Sequence, residues 1–549
     1  MSDLPRRWPV GGQPITSSRA LQGLGGWGRT CLTADSASTG APSSPPPQDW
    51  AASQCLPVPA NPISGPHPVD ANAVAAAEAA RPHTGRTVDA ALTPQTTDID
   101  LGGIHVRTLA YSNTVPGTTI RANVGDEIAV ALTNGLDHET SVHWHGIALR
   151  NDMDGAGPAS PDIGPGQRFT YRFSVPHAGT YWAHPNVGLD TDYGLYLPVI
   201  VDDPNEPSDY DAEWIVVLDD WTDGIGPGPR QIFSNLQSGG MGSIAGPGGM
   251  GTMPGMGMGG GSDRSGAPTS SVTPTGAGTS TLLGGDAGDI TYPHYLINGR
   301  LSTAPSTFTV TPGQRVRIRI INAGADTAFR IALAEHTMTV THADGYPITP
   351  VDVDALLLGM GERYDVIVTA GDGIFPLVAA AEGKNAYARA LLRTGAGSAP
   401  DPAFAPRELD GRVGTVDTFV AADTVLLPAG RPEVNLAADL GGTMMSYHWT
   451  INGRPYDQTQ PLTIRHGQRA RLTFTNMTMM WHPMHLHGRT LQVVKPDGTP
   501  GPRKDTVIVP PMRSLAVDLV ADNPDDWMLH CHNAYHQESG MMTRLDYDS

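Results

Sequence analysis

One pattern recurs three times in this 549-residue chain, and it constrains the fold more than any other feature. Val124-Gly125-Asp126-Glu127-Ile128-Ala129-Val130-Ala131-Leu132-Thr133-Asn134 returns as Pro312-Gly313-Gln314-Arg315-Val316-Arg317-Ile318-Arg319-Ile320-Ile321-Asn322. It returns again as His466-Gly467-Gln468-Arg469-Ala470-Arg471-Leu472-Thr473-Phe474-Thr475-Asn476. Each copy is a glycine turn followed by strict alternation, the period-2 mark of a half-buried strand. Ile297-Asn298-Gly299-Arg300 and Ile451-Asn452-Gly453-Arg454 each set their Asn 15 residues before the repeat glycine. Repeat glycines 188 and 154 residues apart fit three all-β domains of sandwich size, placed at 86–204, 205–400 and 401–549. The 65 glycines, 49 prolines and only 16% charged residues suit short strands joined by many turns.

Two stretches fall outside the repeats. Residues 1–85 read as a low-complexity tail with too little apolar surface to offset its ordering entropy, apart from a short Ala-rich segment from Val74 to Ala80. Arg6-Arg7 is either the start of a twin-arginine export signal or an accidental pair, since the apolar stretch that should follow is missing. An exported address is the expectation. The middle domain carries an insertion over 226–289 whose centre, Met241 to Gly261, is rich in Gly and Met. It reads as a flexible loop or as a thioether site for Cu(I). The net charge of −20 argues against a nucleic-acid partner, and no apolar run approaches the ~18 residues of a membrane helix. Three cysteines allow at most one disulfide, and one of them lies in His530-Cys531-His532, which points to metal.

Counting from the repeat glycines locates the chemistry. Eighteen residues after Gly125 comes His143-Trp144-His145-Gly146, and eighteen after Gly467 comes His485-Leu486-His487-Gly488. The same offset in the middle copy gives Ile331-Ala332-Leu333, so that domain lacks the site. Alternate residues of a strand share a face, so each His-x-His presents two imidazoles together. His184 and His530 sit in two further candidate strands, and His532 is matched by Asn186. Seven imidazoles (His143, His145, His184, His485, His487, His530 and His532) exceed what one ion takes, so they predict a cluster built by the first and third domains. Strand parity then turns Cys531 away from His530 and His532. With His482, His536 and Met541 it makes two imidazoles, a thiolate and a thioether, the donor set of a blue-copper site.

His482-Pro483-Met484-His485-Leu486-His487-Gly488 and the run from His530 to Met542, with His143-Trp144-His145-Gly146, resemble the multicopper oxidases, particularly bacterial three-domain laccases and copper-tolerance oxidases. The resemblance spans about residues 86–549 and implies three cupredoxin-like Greek-key β-sandwiches holding four coppers. It implies a blue copper on His482, Cys531 and His536 with Met541 axial. It also implies a type 2 copper on His143 and His485, and a type 3 pair on His145, His184, His487, His530 and His532. The activity implied is one-electron oxidation of phenols or of Cu(I), coupled to four-electron reduction of O2 to water. Two positions depart from the family. Asn186 stands where a type 3 histidine is expected, and Gln537 stands where relatives carry a proton-delivering glutamate, with Glu538 following. Asp154 matches an acidic residue near the cluster, or is a plain turn aspartate in Asp152-Met153-Asp154-Gly155. A copper-binding protein that has lost oxidase activity is the alternative that Asn186 leaves open.

Overall fold

The computed structural model describes residues 70–206, 209–239 and 278–548, and strands dominate. The three repeat segments form the strands Glu127–Thr133, Arg315–Asn322 and Arg469–Asn476. Their glycines share one left-handed conformation, with φ of 82°, 83° and 79° at Gly125, Gly313 and Gly467. A side chain is strained at such an angle, which accounts for the residue at the head of each repeat. Each repeat strand also holds the same place in its sheet. An upstream strand pairs with it in parallel (Thr87–Leu92, Ala212–Trp221 and Val434–Thr443) and a downstream strand pairs antiparallel (Arg168–Ser174, Arg363–Thr369 and Ser514–Val520). Asn298 and Asn452 repeat a turn, each holding two backbone groups of the neighbouring strand through its side-chain amide.

Among the described residues most strands assemble into three successive pairs of sheets, with three and four strands, seven and six, and six and five, beside two separate two-stranded ribbons, Pro94–Asp100 with His105–Tyr111 and Thr279–Ser280 with Gly285–Asp286. Val413–Gly414 still pairs with Ala355–Leu356 of the middle sheet, and the third pair of sheets starts at Val434. The alternation in Arg469–Asn476 is realised in full, every second residue being buried. Arg315–Asn322 differs, for it is buried on both faces. Its polar face carries Arg317 and Arg319, both of which reach the buried Asp365, and Arg319 also donates to Thr180 of the first sandwich at 3.0 Å. Burial of such charges is tolerable only when they are paired in this way.

Of the stretch read as a tail, residues 1–69 lie outside the described residues. The Ala-rich segment forms a helix, Ala71–Ala79, capped by the Asp70 carboxylate, and Arg81 ties its end to Asn523 of the third sandwich at 3.0 Å. Capping and that tertiary contact order residues whose composition alone argued for disorder. Within the insertion, Pro229–Gly239 is helical and Thr279–Ser280 pairs with Gly285–Asp286. The Met-rich stretch, Met241 to Gly261, lies outside the described residues.

Candidate metal centre

Both His-x-His motifs lie on short buried strands, His143–His145 and His482–Leu486, the second of which ends one residue before His487. Across the sheets His143 faces His184, and His485 faces His530. The first and third sandwiches therefore present their imidazoles to one enclosed space, with His145, His485 and His530 all buried. Gly155 sits at φ +77°, where a Cβ would overlap the Val142 carbonyl, so the turn carrying Asp154 can lie flat against the strand leading to His143.

The hydrogen bonds decide which nitrogens face inward. On the outer side, His143 Nδ1 donates to Asp154 O at 3.1 Å, His184 Nδ1 to Pro185 O at 2.8 Å and His530 Nδ1 to Cys531 O at 2.9 Å. His485 Nδ1 donates to Asp505 O at 2.9 Å and His487 Nδ1 to the Asp154 carboxylate at 2.8 Å. His145 Nε2 donates to the Asp505 carboxylate at 3.0 Å. These partners are acceptors only, so each outer nitrogen holds the proton and each inner one offers a lone pair. The inner nitrogens crowd together: His143 Nε2 and His485 Nε2 at 3.3 Å, His487 Nε2 and His530 Nε2 at 2.9 Å. His145 Nδ1 lies 3.4 Å from His184 Nε2 and 3.2 Å from His532 Nε2. Lone pairs so placed repel unless a cation lies among them, and outward-bonded imidazoles are the usual dress of metal ligands. Burial presses His145, His184, His487 and His532 well below the ordinary histidine range and His530 to about 3, which favours the neutral form a metal needs. The residues fit a metal cluster.

A second group lies on the other face of the strand Trp527–Cys531. Cys531 Sγ is 3.7 Å from both His482 Nδ1 and His536 Nδ1, and the two nitrogens are 3.1 Å apart. His536 is carried by a short helix, Ala534–Glu538, that Asn533 caps through its side-chain oxygen. Met541 is buried, and its backbone bonds both Cys531 and His536 at 3.0 Å. The far edges of the two rings are held by Thr478 Oγ1, 2.9 Å from His482 Nε2, and by Asp289, 2.9 Å from His536 Nε2. Although burial opposes it, Asp289 and the Cys531 sulfur raise the His536 imidazole to about 10.

The remaining candidates fall differently. Asp154 is buried against His143 and His487. Glu538 lies on the exposed side of its helix, where Asp190 and Arg230 are the charges that act on it. Asn186 does not hydrogen-bond to the histidines. Its amide oxygen accepts from Gln537 Nε2 at 3.3 Å, and its Nδ2 meets Met528 Sδ at 3.1 Å. Asp289, Thr478, Asp505 and Arg363 are contacts that sequence reading missed. They belong to no motif, and Asp289 is 247 residues from the histidine it holds.

Three family models described as multicopper oxidase match residues 93–206, 270–397 and 431–549. The chain belongs to the multicopper oxidase family: it is an oxidoreductase of cupredoxin-like architecture whose cofactor is copper and which uses O2 and a reductant. It is 62% identical over 476 residues to the multicopper oxidase MmcO of Mycobacterium tuberculosis, covering 86% of this chain and 90% of that protein. It is 28% identical to copper resistance protein A of Escherichia coli (83% and 91% covered) and 28% to laccase-2 of Botryotinia fuckeliana (84% and 82%). The solved laccase from Botrytis aclada is similar in fold, with a TM-score of 0.65 at 25% identity over 84% of this chain and 87% of that one.

Proposed function

We propose that His482, Cys531 and His536 would hold a blue copper with Met541 as a further donor, and that His143 and His485 would hold a type 2 copper. His145, His184 and His532 would hold one type 3 copper, while His487 and His530 would hold the other. The observation that carries this reading is the grouping of the inward nitrogens into two pairs and a trio, apart from the Cys531 group. Copper in such sites supplies one-electron chemistry that couples four oxidations of a reductant to reduction of O2 to two waters. Cys531 is joined through the backbone to His530 and His532, which makes a through-bond link between the two groups. Asp154 orients His143 and His487 and is the carboxylate available for proton handling beside them. Glu538 is too exposed for that role, and Gln537 carries an amide with no acid proton to give. The test is copper counting joined to the visible and near-ultraviolet spectrum. About four coppers with an intense blue thiolate band are expected, and full copper loading without that band would overturn the assignment of Cys531.

For the reductant, the surroundings of His482 favour a soft metal ion, Cu(I), over a phenol. Thr478, which holds the His482 edge, is flanked by Met477 and Met479, whose side chains stand 58% and 73% exposed. Thioethers in solvent beside the electron entry suit a cuprous ion. Met477→Leu with Met479→Leu should slow Cu(I) oxidation and leave a phenolic dye unaffected; equal effects on both would point to a phenol groove instead. Deleting residues 241–260 asks the same of the Met-rich stretch. Copper tolerance, in the sense of the copper resistance relatives, and an exported address follow from this reading. A second reading, a copper binder with impaired oxidase activity, rests on Asn186, whose amide is already engaged by Gln537 and Met528.

A further inference from the structure

Among the described residues the middle sandwich supplies none of the metal-facing side chains, yet its loop 359–362 touches the histidine cluster. Gly361 sits at φ +85°, and a Cβ there would come within 3.0 Å of both the His145 and His532 rings. Two residues on, the fully buried Arg363 donates from Nη1 and Nη2 to the two oxygens of Asp505 at 2.6 and 2.7 Å. Its Nε donates to Thr180 O at 3.0 Å and its Nη1 to Gly361 O at 3.0 Å. One guanidinium thus grips all three sandwiches. Asp505 is braced from behind as well, since the Asp344 carboxylate accepts from its backbone N–H at 3.1 Å and from that of Thr506 at 3.2 Å.

His145 is the odd ring in the cluster. His143, His184, His485, His487, His530 and His532 all turn Nε2 inward, whereas His145 turns Nδ1 inward because its Nε2 is taken by Asp505 Oδ1 and, at 3.1 Å, Thr506 Oγ1. The Asp505 backbone carbonyl at the same time holds His485. We infer that Arg363 and Asp505 form a positioning pair through which the middle sandwich sets the ring rotation and tautomer of His145, and the orientation of His485, for copper. The pair acts on the trio at His145 and on the pair at His143 and His485, but does not touch His487, His530 or the blue site. Charge pairing makes this specific: a bidentate guanidinium fixes the carboxylate plane, and the plane fixes the imidazole.

The inference rests on the proposed ligand roles of His145 and His485. If the unaltered protein already lacks cluster copper, those roles fail; a deficit confined to the variants tests the pair. Removing one charge would strand the other in the interior, so the variants change both. Arg363→Met with Asp505→Leu removes the charges and the acceptor. Arg363→Met with Asp505→Asn removes the charges but keeps an oxygen for His145 Nε2–H. Full-length proteins are loaded with copper, challenged with a chelator, and read by metal analysis, the type 2 paramagnetic resonance signal and the blue band. The Leu pair should keep its blue band, release cluster copper at least ~10-fold more readily and show a changed type 2 signal, and the Asn pair should recover much of the loss. Arg363→Lys, which keeps the charge but cannot grip both oxygens, should show a smaller deficit of the same kind. Full retention with an unchanged type 2 signal overturns the inference. So does loss of the blue band together with the cluster, or an equal loss in the Leu and Asn pairs.

Discussion

Replacing Asn186 by His should restore a third donor to the copper position at His487 and His530. The losses can be set out from the contacts. The amide gives up a 3.3 Å hydrogen bond from Gln537 and a 3.1 Å contact with the Met528 sulfur. Both are long or weak and the residue is only half-buried, so each costs at most about 0.5–1.5 kcal/mol in the copper-free fold. Against this, loss of an outer-shell partner alone lowers copper affinity ~10–100-fold, so a recovered direct donor should contribute at least about 1.4–2.8 kcal/mol to the loaded protein. The blue site uses none of these groups and serves as the internal reference. Copper per chain, the near-ultraviolet band of the coupled pair and O2 consumption with one fixed reductant should all rise, with blue absorbance unchanged. If the His variant binds no more copper and consumes O2 no faster, then Asn186 is already an adequate ligand or position 186 does not address the cluster, and the alignment of His184-Pro185-Asn186 with His530-Cys531-His532 fails.

Three further outcomes follow from the same geometry. Asp154→Ala removes the acceptor of His487 Nδ1 and should weaken copper retention at the cluster ~10–100-fold while sparing the blue band, as metal analysis after dialysis would show. Met541→Leu should keep the blue colour but raise the potential of that copper in a redox titration, because a thioether donor stabilises Cu(II) and Leu supplies none. His177, outside both copper groups, is exposed at its surface, yet desolvation by its neighbours and the charge of Arg503 lower it to about 4, so an unfolded chain takes up its proton near 6.5 and the folded one only at lower pH. Its share of the stability is therefore complete above about pH 6.5 and is lost as pH falls towards 4, and because solvent reaches and screens the ring the cost is on the order of 1 kcal/mol or less. Chemical denaturation of His177→Gln at pH 7 and pH 4.5 should give a smaller acid loss than the unaltered protein; an equal loss refutes the assignment.

The sequence by itself determined the features that depend on local period. Alternation after a left-handed glycine specifies a strand wherever it occurs, and it occurs three times with the same sheet neighbours. The parity of a strand also separates Cys531 from His530 and His532. The fixed offset from the repeat glycine located His143, His145, His485 and His487 for the same reason. Tertiary structure alone decided what those rings meet. Which nitrogen of His145 faces inward depends on Asp505, 360 residues away, and Asp505 depends on Arg363, 142 residues before it in the chain. Exposure is equally nonlocal. Gln537 and Glu538 are neighbours on one short helix, yet the first points at Asn186 and the second at solvent, because the direction of that helix is set by its packing and its Asn533 cap. Periodicity is carried by the backbone and can be read residue by residue. The pairing of a buried proton with its acceptor is settled only when distant segments close on one another.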